Sequence, residues 1–212
     1  MIKLVLMDFD QTLVNEDILD ILCEINNKKD ISRKLNQDFI NGKKDGFYTL
    51  KTRIDFLKGI SLVQIKNKLE KKTYLTSGAK ELFVYLNNNS IKSILHSGNI
   101  TPVLNYYKNI LNITNIIGTN PIINQDIIQG INIEDIGDKN FKYNGVKKII
   151  DNLKLKKEEI LAVGDSPADL KVFELASIKV AINPKGNIEK QVDYVVKDLF
   201  QIIDIIRRYN EK

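Results

Sequence analysis

The sequence has a single cysteine and no long apolar run, and both absences narrow the class of protein. Because Cys23 is the only cysteine among 212 residues, an internal disulfide is excluded. No apolar stretch approaches the roughly 20 residues that a membrane helix needs. The N-terminal apolar run is broken at Asp8, unlike the apolar region of a signal peptide. We therefore expect a reduced, cytoplasmic protein without a membrane partner.

Basic residues exceed acidic ones and give a formal net charge of +5, but no basic cluster accompanies the surplus. The lysines are dispersed among acidic residues and asparagines, and no nucleic-acid-binding motif with interleaved aromatic residues occurs. Nucleic acid is therefore not an expected partner. A positive surplus does favour the approach of an anionic small molecule.

The apolar run from Ile2 to Met7 predicts a buried parallel strand. The segment Asp8-Phe9-Asp10-Gln11-Thr12 stands at the carboxyl end of this strand. Two carboxylates separated by one residue can share a divalent cation there and still act differently, with Asp8 as nucleophile and Asp10 as proton carrier. Taken alone, the same segment is also typical of an acidic turn.

The order of the patterns predicts one α/β domain with a helical insertion. Residues 14–76 show helical spacing and no strand signal, with helices expected near 18–25, 30–41, 47–58 and 62–72. Ser61 is a candidate N-cap for the last of these helices, and Cys23 is expected to pack in the apolar stripe of the first. From residue 77 strands and helices alternate again, with a small hairpin expected over residues 121–136.

We therefore expect a doubly wound parallel-sheet, Rossmann-like α/β core with an inserted α-helical cap. The core is predicted to comprise residues 1–13 and 77–212, and the cap residues 14–76.

Further polar residues follow predicted strands and suit phosphate chemistry. The Ser97 hydroxyl and the backbone amide of Gly98 can donate hydrogen bonds to phosphoryl oxygens, and Lys142 can place a cation against them. Asp165 suits Mg²⁺, which prefers oxygen ligands and commonly takes only one or two carboxylates from a protein. We assign Asp8, Asp165 and the backbone carbonyl of Asp10 as its ligands.

Each of these segments has a simpler interpretation. Ser97 and Gly98 are also typical of a turn, and Lys142 of a surface lysine. The run from Gly164 to Pro167 is also typical of a strand end followed by a helix N-cap and a proline. His96, the only histidine, is expected to be a buried residue with satisfied hydrogen bonds.

Taken together, the segments resemble the four motifs of the haloacid dehalogenase superfamily, within residues 2–184. These motifs are Asp8-x-Asp10-x-Thr12, the strand-borne Ser97, Lys142, and Gly164-Asp165-x-x-x-Asp169. The resemblance implies a Mg²⁺-dependent phosphatase that hydrolyses a small phosphate ester through an aspartyl-phosphate. It also implies that Asp169 and Thr12 contact the catalytic residues and hold them in position.

Within the superfamily the chain is most similar to the phosphoserine phosphatase branch. The opening from Asp8 to Asn15, Arg53, and the distance from Lys142 to Asp165 resemble that branch. The resemblance implies substrate contacts from Gly98, Arg53, Asp17 and Glu16, and an amino-acid phosphate such as phosphoserine as the substrate. Three positions depart from the branch: Asp17 replaces a glutamate, Ala168 an asparagine, and Ser166 a glycine.

Two other functions use similar residues. A phosphotransferase would pass the aspartyl-phosphate to an alcohol instead of water, and the sequence leaves this alternative open, together with the oligomeric state. A phospho-receiver module also combines an aspartate nucleophile, acids, a hydroxyl residue and a lysine. A receiver carries its acid pair first and its phosphorylated aspartate in mid-chain, whereas here the candidate nucleophile, Asp8, comes first and a cap follows.

Overall fold

The structure is a computed structural model that describes residues 1–131, 137–138 and 140–211. The strands are β1 (Leu4–Asp8), β2 (Lys92–Ile100), β3 (Asn115–Thr119), β4 (Pro121–Asn124), β5 (Ile127–Ile131), β6 (Ile160–Gly164), β7 (Ile178–Ile182) and β8 (Tyr194–Val196). The α-helices are α1 (Ile18–Cys23), α2 (Lys29–Ile40), α3 (Gly46–Asp55), α4 (Leu62–Glu70), α5 (Ala79–Asn88), α6 (Thr101–Leu111), α7 (Phe141–Leu153), α8 (Leu170–Phe173) and α9 (Phe200–Asn210).

Six of the strands form one parallel sheet in the order β3-β2-β1-β6-β7-β8. The chain first winds outward from β1 to β3 and then returns to the other side of β1 with β6, which is the strand order of a doubly wound fold. The order reverses between β1 and β6. In such sheets the crevice at the carboxyl ends of the strands, next to this reversal, is where ligands bind.

Strand β1 lies at the centre of the sheet because its side chains are apolar on both faces. Leu4 and Leu6 pack into one hydrophobic cluster, whereas Val5 and Met7 pack into a second cluster on the opposite face. All five residues of β1 are buried, including Asp8 at its end. Burial on both faces is typical of a parallel strand covered by helices on each side.

The helices α1 to α4 form an inserted cap between β1 and α5. Two short linkers join the cap to the core, and they pair with each other: the Asn15 amide donates to the Tyr74 carbonyl at 2.8 Å, and the Thr76 amide to the Leu13 carbonyl at 3.0 Å. Ser61 caps α4 as expected, and its side chain accepts a hydrogen bond from the Gln64 amide.

The hairpin β4–β5 follows the core strand β3 in the chain, but it forms hydrogen bonds with the cap. The Gly59 amide donates to the Ile128 carbonyl at 2.9 Å, and the Ile128 amide to the Ile60 carbonyl at 2.9 Å. The sequence predicted this hairpin over residues 121–136, of which residues 132–136 lie outside the described residues. Its attachment to the cap was not predicted, because it depends on residues nearly 70 positions apart in the chain.

The predicted parallel-sheet core with a helical cap is confirmed, with helix ends shifted by a few residues from the expected positions. Cys23 is buried, as expected, and burial raises the pKa of its thiol to about 11. Within the described part of the chain, no helix is long and apolar enough to span a membrane.

Candidate active site

The predicted catalytic residues meet at the carboxyl edge of the central strands. Asp8 is the last residue of β1, and Asp165 directly follows β6. Ser97 lies within β2, at a break in the β2–β3 register that begins after His96. Because β1 pairs with both β2 and β6, these three side chains come from adjacent strands.

Lys142 lies between two buried carboxylates. Its Nζ atom is 3.2 Å from Oδ1 of Asp8 and 3.6 Å from Oδ1 of Asp169. Burial and the negative charge of Asp169 raise the pKa of Asp8 to about 7, although Lys142 opposes this effect. Burial lowers the pKa of Lys142, but the two carboxylates more than offset that effect, so the pKa is raised and the ammonium group stays charged.

Asp10 accepts hydrogen bonds on both carboxylate oxygens. The amide of Ile18, the first residue of α1, donates to Oδ1 at 2.7 Å. The Ser97 hydroxyl donates to Oδ2 at 3.3 Å, and the Asn99 side-chain amide reaches both oxygens at 3.3 and 3.2 Å. Burial, followed by the charge of Asp17, raises the pKa of Asp10 to about 8. Asp10 is therefore a well-oriented carboxyl group that holds a proton near neutral pH.

Asp165 and Asp169 are connected through the backbone. The Asp165 and Ser166 amides donate to Oδ2 of Asp169 at 3.1 and 3.3 Å. Gly164 makes this approach possible, because a Cβ atom there would lie 2.5 Å from that same oxygen. Ser166 also caps the short 3₁₀ turn Pro167–Asp169, with proline in its first position. The simpler N-cap interpretation of this segment is thus also correct, and it is compatible with a functional Asp165.

His96 is completely buried, but the expectation that its hydrogen bonds are satisfied is wrong. Neither ring nitrogen has a hydrogen-bond partner among the residues that the structure describes, and Nδ1 lies 3.9 Å from Oδ1 of Asp8. Burial and the nearby Lys142 hold the pKa of His96 well below its usual value, so the ring is neutral. A neutral imidazole is tolerated here because it adds no second cation beside Lys142.

Asp8, His96 and Asp169 place potential metal ligands within 4.8 Å of one another. However, the Lys142 ammonium group already lies against Asp8 and Asp169. The positive charge that this cluster requires is therefore supplied by the protein itself. Asp8 and Asp165 are both buried at the carboxyl edge of the sheet and offer oxygen ligands to a divalent cation.

In the cap, Arg53 of α3 joins a buried polar cluster. Its Nη2 atom lies 2.5 Å from Oδ1 of Asp17 and 3.1 Å from Oδ1 of Asp20, and its Nε atom donates to the Ser32 hydroxyl at 2.9 Å. Asp17 also accepts a hydrogen bond from the Asn36 side chain at 3.0 Å. Arg53 and Asp17, which the sequence predicted to contact the substrate, therefore also bind each other.

One cavity of about 510 Å³ connects the strand ends to the cap. Most of the residues predicted from the sequence line it: Asp8, Asp10, Ser97, Gly98, Lys142, Asp165, Asp17 and Arg53. The cap adds apolar walls from Leu19, Phe39, Ile40, Phe47 and Leu50. Leu50 lies close to Gly98, where an added Cβ would be 3.2 Å from its side chain, so the cap is closed onto the core at this point.

Three of the predicted site residues do not line this cavity. Thr12 and Asp169 are buried, in keeping with their expected supporting positions. Glu16 instead forms an ion pair with Lys72 on the surface of the cap. The structure therefore does not bring Glu16 to the cavity that contains the other candidate residues.

Two residues of the site were not predicted. Lys185, in the loop after β7, lies 2.6 Å from Oδ2 of Asp165 and also contacts the Gln11 side chain. Asn99 contacts Asp10, as described above. Both follow the pattern that was applied to the other strands, because polar residues at or beyond the carboxyl end of a parallel strand reach the same edge of the sheet. The same pattern, applied to the loop after β7 and to the residue after Gly98, would have indicated Lys185 and Asn99.

Comparison with known proteins shows the family to which the chain belongs. A family model for haloacid dehalogenase-like hydrolases matches residues 5–174. The chain belongs to this family. The phosphoserine phosphatase of Campylobacter jejuni is 31% identical over 97% of this chain and 100% of its own length. That of Methanocaldococcus jannaschii is 25% identical over 97% of this chain and 98% of its own length.

Solved structures of phosphoserine phosphatases share the fold of this haloacid dehalogenase-like hydrolase. A substrate-bound phosphoserine phosphatase complex matches with a TM-score of 0.86 at 24% identity, over 97% of this chain and 98% of that one. A phospho-aspartyl intermediate analogue of phosphoserine phosphatase matches with a TM-score of 0.83, also at 24% identity, over 96% and 98% of the two chains. The assignments to the family, to its phosphoserine phosphatase-like branch and to the phosphatases are confirmed.

Proposed function

We propose that this haloacid dehalogenase-like hydrolase removes the phosphoryl group from a small amino-acid phosphate, first of all phosphoserine. The observation that carries the proposal is the shared cavity, which joins Asp8 and Asp10 at the core to Asp17 and Arg53 in the cap. A phosphoryl group at the core end would meet the Lys142 ammonium group, and the carboxylate and ammonium groups of an amino acid at the cap end would meet Arg53 and Asp17. The phosphoserine phosphatases named above support the same reaction.

Asp8 is the proposed nucleophile. Its carboxylate attacks phosphorus, the ester oxygen leaves, and water later cleaves the aspartyl-phosphate to release phosphate and restore Asp8. Lys142 donates to Oδ1 of Asp8 at 3.2 Å, which orients the carboxylate and keeps a cation beside the transferred group. Ser97 and the amide of Gly98 are proposed to donate hydrogen bonds to the phosphoryl oxygens.

Asp10 is the proposed general acid and base. A pKa raised to about 8 leaves it protonated near neutral pH, ready to protonate the leaving oxygen. Once it has lost that proton, it can accept one from the attacking water. Oδ1 accepts the shortest of its hydrogen bonds, 2.7 Å from the Ile18 amide, whereas the donors to Oδ2 lie at 3.2 and 3.3 Å, so we assign the proton transfer to Oδ2.

The buried carboxylates fit a Mg²⁺ ion. Burial and the charge of Asp8 raise the pKa of Asp165, and a divalent cation would relieve this repulsion through the oxygen ligands that Mg²⁺ prefers. We propose Asp8, Asp165 and the backbone carbonyl of Asp10 as ligands, supported by Asp169 and Thr12. When bound, the ion neutralises negative charge on the phosphoryl oxygens.

The cap is proposed to recognise the amino acid. Residues 14–76 would open and close about the paired linkers, Arg53 would bind the substrate carboxylate, and Asp17 its ammonium group. The contribution predicted for Glu16 has no support in the observed geometry, since Glu16 pairs with Lys72. A cytoplasmic location accords with the single cysteine, and a small phosphate ester as the partner accords with a cavity of about 510 Å³.

The mechanism is tested by replacing the nucleophile. Asp8→Asn keeps the shape of the side chain but cannot form the aspartyl-phosphate, so kcat should fall by several orders of magnitude. Hydrolysis of phosphoserine and of a generic aryl phosphate is measured with Mg²⁺ and with EDTA. Turnover close to that of the wild type in the variant would refute the role of Asp8.

The substrate class is tested with Arg53→Ala. If Arg53 binds a carboxylate, kcat/KM for phosphoserine should fall by about 10- to 100-fold, the scale of a hydrogen bond to a charged group. The same constant for an aryl phosphate and for a sugar phosphate should change much less. An equal loss on all three substrates would refute the assignment to an amino-acid phosphate.

A further inference from the structure

Arg53 is held in place by three side chains, of which Ser32 and Asp20 do not line the cavity. Its guanidinium group has two edges, and the edge formed by Nε and Nη2 is fully used by Ser32, Asp17 and Asp20. Within the described part of the chain, Nη1 has no hydrogen-bond partner. Arg53 is 5% exposed and lines the cavity, so Nη1 is the nitrogen left for a ligand.

Ser32 closes a ring of hydrogen bonds around this edge. Its hydroxyl accepts from Nε of Arg53 at 2.9 Å and donates to Oδ1 of Asp20 at 2.6 Å, while Nη2 of Arg53 donates to the same oxygen at 3.1 Å. Each member of the ring is therefore held by the other two. A guanidinium group bound at two of its nitrogens cannot rotate about its terminal torsion without breaking both contacts.

The ring brings three helices together. Asp20 lies on α1, Ser32 on α2 and Arg53 on α3. Ser32 is fully buried, and Ser32 and Asp20 are both absent from the residues that line the main cavity. Ser32 therefore cannot contact a substrate in this cavity directly, whereas Arg53, which it contacts, can.

We propose that Ser32, itself held by Asp20, is a positioning residue that fixes the Arg53 guanidinium so that Nη1 faces the substrate carboxylate. This inference rests on the proposed function, because it takes Arg53 as the group that binds the carboxylate. An arginine held in its binding geometry loses little conformational freedom when the substrate arrives, which strengthens binding. Ser32 thus sets the affinity for substrates that carry a carboxylate and has no part in phosphoryl transfer.

The test is Ser32→Ala in the full chain, which removes only the hydroxyl. We expect KM for phosphoserine to rise about tenfold, the lower end of the range for a hydrogen bond to a charged group, with kcat changed by less than about twofold. For an aryl phosphate, which has no carboxylate at the cap end, both constants should stay unchanged. Thr52→Ala is the matched control, because Thr52 neighbours Arg53 on α3 but its hydroxyl donates to the Tyr48 carbonyl.

A double-mutant cycle separates positioning from a general effect on the cap. In the Arg53→Ala background, Ser32→Ala should cause no further rise in KM for phosphoserine. If it still raises KM about tenfold, or if the single variant loses equally on the aryl phosphate together with a lowered Tm, Ser32 acts by stabilising the cap and the inference is wrong.

The cycle also separates this inference from the proposed function. If Arg53→Ala affects all substrates equally, the carboxylate assignment itself fails. If Arg53→Ala selectively impairs phosphoserine but Ser32→Ala does not, only the positioning role of Ser32 is refuted.

Discussion

Replacement of the buried Asp8 by asparagine is expected to stabilise the metal-free protein while it abolishes activity. Asp8 is 6% exposed, and burial together with Asp169 raises its pKa from 3.8 to about 7. The folded protein therefore holds a carboxyl group that ionises less readily than in the unfolded chain. At a pH where Asp8 is ionised, this difference in pKa lowers the free energy of unfolding by at most about 4 kcal/mol, and the Asp8→Asn variant avoids that loss.

The expected gain in stability depends on pH in one direction. Below about pH 4 Asp8 is protonated in both the folded and the unfolded chain, so its ionisation causes no difference in the free energy of unfolding between wild type and variant. Between about pH 4 and pH 7 the unfolded chain ionises Asp8 while the folded protein keeps the proton, and the wild type loses stability relative to the variant. Above about pH 7 the difference is constant at its largest value.

The assay is urea unfolding in EDTA at several values between about pH 5 and pH 8, with the free energy of unfolding compared between wild type and variant at each pH. Asp204→Asn is the matched control, since the Asp204 side chain is 62% exposed and the same chemical change there removes no buried carboxylate. A difference for Asp8→Asn that is the same at all pH values, or a less stable variant at about pH 8, would refute the argument.

Four further predictions concern the same site. Asp10→Asn should lower kcat by roughly 10²–10⁴ and leave KM nearly unchanged, and an effect on KM alone would contradict proton transfer by Asp10. Asp17→Ala should lower kcat on an aryl phosphate more than Asp17→Asn does. Asparagine can still cap α1, whose first amide, that of Ile18, donates to Asp10, whereas alanine cannot. Equal losses in kcat would contradict a connection between the cap of α1 and Asp10. Gly164→Ala should cost about 1–3 kcal/mol of stability, measured by urea unfolding, because its Cβ would displace the Asp169 carboxylate; an unchanged midpoint would show that Asp169 can move freely. Mg²⁺ binding should release protons near pH 7 and weaken as the pH falls, since Asp8 must lose its proton to bind the ion. Calorimetry in two buffers of different ionisation enthalpy measures the proton release, and the absence of any release would exclude Asp8 as a ligand.

The positions of the proposed catalytic acids were predictable because the local pattern determines where they lie. An apolar run that fills both faces of a central strand must end where the chain leaves the core, so Asp8 and Asp10 stand at the edge of the sheet. The same argument applies to Asp165 after β6. For these residues a few neighbouring positions in the sequence carry enough information to place the side chain.

Contacts that depend on tertiary structure could not be predicted in the same way. The sequence indicated Arg53 and Asp17 separately, but their pairing and the ring with Ser32 depend on the angles between three cap helices. Burial of His96 followed from its strand, whereas the lack of hydrogen-bond partners follows from side chains contributed by other elements. Helical spacing reports which face of a helix is apolar, and it carries no information about which polar groups meet across helices.

The start of α1 links the two ends of the site. Asp17 caps this helix and binds Arg53, while the amide of the next residue, Ile18, donates to Asp10 at 2.7 Å. A shift of the cap that moved the Asp17–Arg53 pair would therefore also move the hydrogen bond on the proposed general acid. Since this amide belongs to the cap and Asp10 to the core, one of the hydrogen bonds that orient Asp10 depends on the position of the cap, whereas those from Ser97 and Asn99 do not. If the cap closes over a substrate as proposed, the same movement completes the hydrogen bonds on the proposed proton donor, which favours proton transfer only after the cavity has closed.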